Sequence, residues 1–257
     1  MEYKKAWLWF SENFGPTIIH PQYIAFRLHN CGLQEAEKYA KGKLIDIGCG
    51  RMRASQVLGS QISEYVGVDH PSTVRMYPSD KRPHLLCDAS EIPVANNSFD
   101  TALMLAVIEH LDKPKEALDE CFRILKKDGI LIMTIPFMYP IHDAPYDFYR
   151  YTPFAIDKML KKSGFKIIKL YAQGGFLEFW LLSLICFLLT SIRDHLIKPL
   201  NLSPIGILKL SLYLPIILLI ITPILFFNLI VAIFFPVKKS SSPDNYFPII
   251  TTVVAKK

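Results

Sequence analysis

Eight residues, Lys43-Leu44-Ile45-Asp46-Ile47-Gly48-Cys49-Gly50, constrain this chain more than any other stretch. Leu44, Ile45 and Ile47 are apolar and partly β-branched, which suits a strand buried on both faces of a parallel sheet. Two glycines two positions apart then let the backbone turn sharply and lie close against a ligand. Ala54 to Leu58 is compatible with a helix. Strand, glycine turn and helix in that order open a nucleotide-type site, at the point where the strand order of a doubly wound sheet reverses.

The turn is not a phosphate loop, because no Gly-Lys-Ser/Thr follows it. It is also an incomplete dinucleotide fingerprint, since Arg51, Met52, Arg53 and Ala54 stand where a third glycine belongs. A lone Gly-x-Gly suits an ordinary turn as well as a site, so its neighbours decide. Asp46 ends the strand just before the glycines. Tyr65-Val66-Gly67-Val68-Asp69 reads as a second short strand ending in a carboxylate, and Asp69 comes 23 positions after Asp46. That is close to the separation at which an acid at the end of strand two reaches a ribose hydroxyl.

Further blocks follow in order: Cys87-Asp88-Ala89 through Pro93 to Ser98-Phe99-Asp100, then Ile108-Glu109-His110-Leu111, then Arg123-Ile124-Leu125-Lys126-Lys127-Asp128-Gly129. Together with Asp46 to Gly50 and Gly67-Val68-Asp69, the set resembles the class I S-adenosylmethionine-dependent methyltransferases of the simple methyltransferase-domain branch. The resemblance covers roughly residues 40 to 170 and the last dozen. It implies an α/β fold with a doubly wound, seven-stranded, mostly parallel sheet, in which strand 7 lies antiparallel between strands 5 and 6. It implies S-adenosylmethionine as cofactor, with contacts from Asp46, Gly48, Cys49, Gly50, Asp69, His70, Asp88, Ala89, Leu105 and His110. In such proteins the acid at the position of Asp88 faces the adenine amine, and the segment Leu105 to His110 lies beside the cofactor. From the residues alone, Asp88 reads equally as a loop cap.

Local signals place the remaining elements. Gln34 to Ala40 reads as a helix stopped by Gly42. Leu85 to Cys87 is a short third strand and Phe99 to Ala106 an almost wholly apolar fourth. Glu116 to Lys126 carries apolar residues at helical spacing and is expected to stop at Gly129, with strand five over Ile130 to Ile135. Thr152 is placed to cap a helix with Pro153 at its first position, Gly164 ends it, and Phe165 to Tyr171 forms strand six. Alternating strands and helices imply right-handed crossovers and a mostly parallel sheet.

Composition narrows the function. The net charge is a modest +6, and no basic block interleaves with aromatics, so a nucleic-acid partner is disfavoured. Cysteines 31, 49, 87, 121 and 186 form no CxxC pair and no ligand spacing with histidine, which argues for reduced thiols and no structural zinc. No metal constellation is visible in the sequence. Met1 to Phe10 carries Glu2, Lys4 and Lys5 and lacks the apolar run of a secretory signal. Trp7, Trp9, Phe10 and Phe14 suit a packed N-terminal helix, a cover for the cofactor, or a rest on a membrane surface.

Pro136 to Tyr151 is an unusual loop, placed beyond the carboxyl end of strand five, where open α/β sheets bind their ligands. It concentrates His142, Asp143, Asp147, Arg150 and four tyrosines, and reads either as a substrate site or as a packed lid. The stretch resembles that of methyltransferases associated with glycan and cell-envelope biosynthesis. A hydroxyl acceptor would need a base. His142 is the first candidate because its ordinary pKa lies near neutrality, and Asp143 and Asp147 follow.

Tyr246 to Ala255 reads as strand seven, so some seventy residues are inserted after strand six. Within them Phe179 to Ile192 carries no charge, and neither does Leu210 to Val237 over 28 residues. The second run is long enough to cross a hydrocarbon core of roughly 30 Å, and Pro215 and Pro223 would kink it. Strands six and seven must meet in one sheet, so the number of crossings is even. Either both segments cross, or both dip in and return; an apolar lid or dimer interface is the non-membrane alternative. Lys238, Lys239, Lys256 and Lys257 favour a cytoplasmic catalytic domain, while Arg193 and Lys198 weaken that argument. The expected divisions are an N-terminal helical segment 1–42, a cofactor-binding domain 43–175, a hydrophobic, membrane-associated insertion 176–238, and a returning strand 239–257. The expected activity is methyl transfer to a small-molecule, lipid-linked or envelope-glycan acceptor. A nicotinamide-dependent oxidoreductase and a catalytically inactive membrane-anchored binding protein are the rivals.

Overall fold

The computed structural model describes residues 9–11, 13–76, 82–197, 204–234 and 245–257. Trp7, Lys198, Lys238 and Lys239 lie outside them. The chain divides into two compact units. One contains the described residues of 29–173 and 239–257, and the other those of 1–28 and 174–238.

The first unit is a seven-stranded sheet in the order β3-β2-β1-β4-β5-β7-β6. The strands are β1 (Gly42–Ile47), β2 (Ile62–Asp69), β3 (Leu85–Leu86), β4 (Phe99–Leu105), β5 (Leu125–Pro136), β6 (Lys166–Gln173) and β7 (Ile250–Lys256). Neighbours among β1 to β5 are parallel, and β7 is inserted antiparallel between β5 and β6. Strand residues alternate between two cores, as a period of two requires. Leu44, Leu103, Ile130, Ile132 and Val254 pack with Leu33 and Ala36 from helix α1 (Tyr23–Tyr39) and with Ala40 just after it. Ile45, Ile47, Met104, Leu131, Met133 and Val253 pack with helices α3 (Pro114–Ile124) and α4 (Pro153–Lys162). The five-residue helix α2 (Arg53–Val57) follows the glycine turn. Burial on both faces accounts for the near-continuous apolar runs in these strands.

Several boundaries differ from the sequence reading. α1 reaches back to Tyr23 and ends at Tyr39, and Gly42 opens β1 instead of stopping the helix. β2 starts earlier, at Ile62. α3 spans Pro114–Ile124, and Gly129 does not end it. Leu125 already pairs with Phe99 while Ile130 pairs with Thr101, so Lys126 to Gly129 form a bulge inside β5. β7 begins at Ile250, later than Tyr246, because Pro248 has no N–H to give a ladder. α4 is as expected: Thr152 Oγ1 accepts from Ala155 N at 3.2 Å, and Pro153 is its first residue. Arg123, in the last block of the resemblance, is structural. It pairs with Glu120 and donates to the carbonyls of Ile92 and Val94, fixing the loop that follows Asp88.

The second unit holds the two apolar helices, α5 (Phe176–Ser191), extended by a π-helical turn at Ile192–Ile197, and α6 (Pro204–Phe234) with Pro215 and Pro223 inside it. The buried Asn228 amide donates to the carbonyls of Ile18 and His20, at 3.2 and 2.9 Å, and Arg27 donates to Val231 O at 3.0 Å. The described N-terminal residues up to 28 therefore group with the insertion and do not form a separate 1–42 segment.

Candidate active site

β1 and β4 are neighbours although β2 and β3 run off on the other side of β1, so the order reverses between them. The turn after β1 sits at this reversal. Gly48 and Cys49 donate backbone N–H to Val68 O at 2.8 and 3.0 Å. Gly48 has φ +69°, and a Cβ added there would lie 2.4 Å from Val107 Cγ2. Gly50 has φ +53°, with nothing within 4 Å of an added Cβ. One glycine thus lets the turn close against the end of β4, and the other faces open space. The Cys49 thiol is buried beside Gly67 and burial pushes its pKa up, so it packs and does not react.

Two carboxylates brace the turn. Asp69 Oδ2 accepts from Gly50 N at 3.0 Å, and Oδ1 from His70 N at 2.7 Å and Thr73 Oγ1 at 2.9 Å. Asp46 is buried and accepts from the Tyr65 hydroxyl at 2.5 Å. Burial pushes its pKa up to about 7, and the Asp69 charge adds to the rise. Asp88 is exposed and holds Ser90 through its N–H and hydroxyl at 2.8 and 2.7 Å, which keeps its pKa below the usual range. It is a loop cap that remains open to solvent. His70 is exposed and engages Ser72, Ala89 belongs to the core, and Leu105 packs beside Gly32.

The loop after β5 is built around one ion pair. Arg150 grips both carboxylate oxygens of Asp147, whose side chain is 1% exposed, and also reaches the carbonyls of Tyr139, Pro140 and Tyr149. Those hydrogen bonds hold the Asp147 pKa down at about 2. Asp147 Oδ2 also accepts from His142 N at 2.9 Å and lies 3.2 Å from His142 Nδ1. Arg150 and Asp147 therefore hold the loop's shape. Asp143 stands apart from them, exposed, at a turn with φ +50°.

The structure brings His142 to Glu109, which the sequence reading placed in the block beside the cofactor without a role of its own. Phe148 and Tyr149 donate to the Glu109 carbonyl, docking the loop on the 3-10 turn Ile108–His110. The Glu109 side chain is fully buried and neither of its oxygens has a hydrogen-bond partner. His110 Nε2 and His142 Nε2 lie 3.7 and 3.8 Å from Glu109 Oε1, with the two imidazoles edge to face at 4.8 Å. Burial pulls the His142 pKa down, but the Glu109 and Asp147 carboxylates outweigh it and leave it raised. The Tyr151 hydroxyl is also buried without a partner. Around this cluster Ile141, Tyr146, Phe148 and Tyr149 are exposed. The pairing of Glu109 with His142 escaped the sequence reading because the two lie far apart in the chain, on different elements. A charged residue directly after an apolar strand end was the available signal.

A glycine turn at the reversal, an acid closing β2, and an antiparallel β7 define a nucleoside-cofactor domain of the methyltransferase type. Comparison with known proteins agrees. Residues 45–133 match the methyltransferase domain family. A "Probable S-adenosylmethionine-dependent methyltransferase" of Mycolicibacterium smegmatis is 24% identical over 115 residues, 43% of this chain and 45% of the relative, so the chain spans about half the length of that relative. An uncharacterized protein of Methanocaldococcus jannaschii is 29% identical over 182 residues, 65% of this chain and 79% of the relative. The crystal structure of a SAM dependent methyltransferase from Archaeoglobus fulgidus superposes with a TM-score of 0.56 at 19% identity, covering 98% and 99% of the two chains. The sheet unit has the fold of the class I S-adenosylmethionine-dependent methyltransferases, and residues 45–133 within it match the methyltransferase domain family.

Proposed function

We propose that the chain transfers the methyl group of S-adenosylmethionine to an oxygen acceptor on a lipid-linked or envelope-glycan molecule at a membrane surface. The observation that carries methyl transfer is the turn at Gly48 and Gly50, closed by Asp69 and open at Gly50, on a domain of this family. S-adenosylmethionine supplies an electrophilic sulfonium methyl. The resemblance assigns Asp69, at the end of β2, to the ribose diol and exposed Asp88 to the adenine amine. Val107 lies against Gly48, and Glu109 and His110 follow it directly, so the cluster with His142 opens on the same sheet edge as the cofactor turn. The acceptor oxygen attacks the methyl carbon there, and its proton leaves toward His142, which Asp147 orients. Orientation and exclusion of water supply most of the acceleration. Arg150 and Asp147 position the loop, and Asp143 shapes its turn.

Membrane attachment rests on the insertion. Phe176–Asp194 is apolar enough to cross a bilayer, with only 22% of it buried. In α6 the polar partners of Asn228 and Val231 mark one end of the apolar stretch. Leu210 to Phe227 remains, about 27 Å long at 1.5 Å per residue. Gln173 and Ile250 pair across β6 and β7, so the chain leaves and returns at one sheet edge, which supports an even number of crossings: both segments cross, or both dip in and return. The exposed apolar side chains of the 137–151 loop suit an acceptor with a hydrophobic carrier.

The test is incubation of membranes containing the full chain with S-adenosylmethionine labelled in its methyl group, followed by identification of the labelled product. A labelled lipid-linked or glycan molecule is expected, and an alkaline carbonate wash should leave the protein in the pellet. Tight nicotinamide dinucleotide binding without S-adenosylmethionine binding would overturn the reading. Recovery in the soluble fraction without detergent would remove its membrane part.

A further inference from the structure

We infer that Glu109, His110 and His142 form a binding site for a first-row divalent transition ion, of the kind zinc or cobalt(II) occupies. The inference rests on the geometry of these three side chains. It uses the methyl-transfer reading only for what the ion would do.

The argument begins with a missing donor. A fully buried carboxylate is costly unless it is paired or bound to a metal. Glu109 has neither of its oxygens hydrogen-bonded. Its nearest polar neighbours are the Nε2 atoms of His110 and His142, at 3.7 and 3.8 Å, beyond hydrogen-bond reach. Both imidazoles are held from behind. His110 Nδ1 sits 2.9 Å from the Tyr146 carbonyl, and His142 Nδ1 sits 3.2 Å from Asp147 Oδ2 and 3.3 Å from the Pro140 carbonyl. A carbonyl or carboxylate can only accept, so in a neutral ring the proton belongs on Nδ1 and the Nε2 lone pair points forward. With both rings neutral, two lone pairs and a carboxylate then converge, and either a proton on an Nε2 or a cation among them satisfies the carboxylate. A cation at their centre resolves that arrangement.

The outer contacts point the same way. Metal-binding histidines characteristically donate their other ring N–H to a carboxylate or a backbone carbonyl, which fixes tautomer and ring direction. Here one histidine has each kind of partner. The three ligand atoms lie within 4.8 Å of one another. Ligands at zinc distances in a tetrahedral site are roughly 3.4 Å apart, so two of the separations need to close by only a few tenths of an ångström. The imidazoles are 21% and 25% exposed, so they have room to turn and leave an approach from outside. Two nitrogens and one carboxylate suit zinc, cobalt or iron(II) better than magnesium or calcium, which prefer all-oxygen shells. Three protein ligands with an open position is the pattern of catalytic zinc, not structural zinc.

In this arrangement the open position takes the acceptor oxygen. The ion makes its hydroxyl proton more acidic and holds the oxygen toward the cofactor turn. With an ion bound, His142 would be a ligand and the acceptor's proton would pass to solvent; without one the imidazole takes it, as proposed above. Asp147 is a positioning residue behind that ligand.

The test uses the full chain, purified in detergent, stripped with a chelator and dialysed. It is titrated with cobalt(II), followed by its visible absorption, and with zinc(II), followed by calorimetry. S-adenosylmethionine binding is measured on the same samples. About one ion per chain is expected, with the visible band of a nitrogen–oxygen cobalt site. Glu109→Gln and His110→Ala should each abolish the band. Asp147→Asn should weaken binding by about 10–100-fold, and Asp119→Asn, a surface change, should not alter it. Saturable binding undiminished in both Glu109→Gln and His110→Ala would overturn the site, as would no saturable binding in a wild-type protein that still binds S-adenosylmethionine. Ion binding with no S-adenosylmethionine binding would sink the methyl-transfer reading and leave the ion site standing.

Discussion

Along the carboxyl edge of the sheet, the half that follows β1, β2 and β3 and the half that follows β4 and β5 treat their polar groups in opposite ways. In the first half Asp46, Asp69 and Asp88 each have a partner close in sequence or on the next strand. Asp69 holds Gly50, His70 and Thr73, Asp46 holds Tyr65, and Asp88 holds Ser90. In the second half Asp147 and Arg150 satisfy each other, but Glu109, beside His110 and His142, and the Tyr151 hydroxyl are buried without a hydrogen-bond partner among the described residues. The first half is a finished cradle whose shape is set before any ligand arrives. The second leaves buried polar groups without hydrogen bonds, which fits the proposal that a bound group completes it. This division suits a two-substrate enzyme: one ligand is common to a whole family and the other is particular to this chain.

The sharpest way to break the comparison is at the seam between the halves. Gly48→Ala adds a Cβ 2.4 Å from Val107 and forces a side chain into φ +69°. Left-handed strain of about 1–2 kcal/mol and overpacking of about 1–3 kcal/mol should lower stability by roughly 2–5 kcal/mol in all. S-adenosylmethionine binding should fall below detection by calorimetry. Gly50→Ala has the same backbone strain, at φ +53°, but open space, so it should cost only about 1–2 kcal/mol and remain folded. Equal melting temperatures for the two variants would mean that contact with β4 does not close the turn.

These same residues show what the sequence could and could not reveal. The cofactor half was legible because its determinants are local: a strand, two glycines and an acid at the right interval. The antiparallel β7 came from the resemblance, and its partner register follows in the structure. Gly129 misled because a glycine after a helix usually ends it, whereas here it serves a bulge in β5. The acceptor half was half legible. The loop's density of charge was plain, but the sequence could not separate Arg150 and Asp147, which hold the loop, from His142, which faces Glu109. That distinction depends on docking the loop against Ile108–His110, a contact between distant segments that no local spacing encodes.

A second test separates burial from function within the finished half. The unfolded chain releases the Asp46 proton near 3.8, while the folded protein keeps it to about 7. The folded state therefore holds an extra proton between those values, and stability falls as pH rises through that window, then levels off above it. The loss is of order 4 kcal/mol at most. Asp46→Asn, which can still accept from Tyr65, removes the titration. Its melting temperature relative to wild type should climb from pH 4 to pH 7 and stay constant from pH 7 to pH 8.5. Parallel curves for the two proteins would show that Asp46 ionises in the fold without penalty.

The smallest effects give the finest discrimination, because the two halves should fail in different measurements. Asp69→Ala removes the acceptor that holds Gly50 and faces the proposed ribose site. Losing hydrogen bonds to a charged group costs on the order of 1.5–3 kcal/mol, so S-adenosylmethionine affinity should drop at least tenfold. With the cofactor saturating, turnover should then recover most of its wild-type value. His142→Ala lies in the other half, where a group handling the acceptor's proton or holding an ion contributes about 100-fold or more to turnover. Its cofactor affinity should stay within about threefold of wild type, a change of under 1 kcal/mol. The crossed pattern, affinity lost at Asp69 and turnover lost at His142, is what a cradle and a separate acceptor site require. If His142→Ala weakens the cofactor as much as Asp69→Ala does, the two halves are one binding surface. In that case the unpartnered Glu109 belongs to the cofactor's own shell, and the acceptor enters elsewhere.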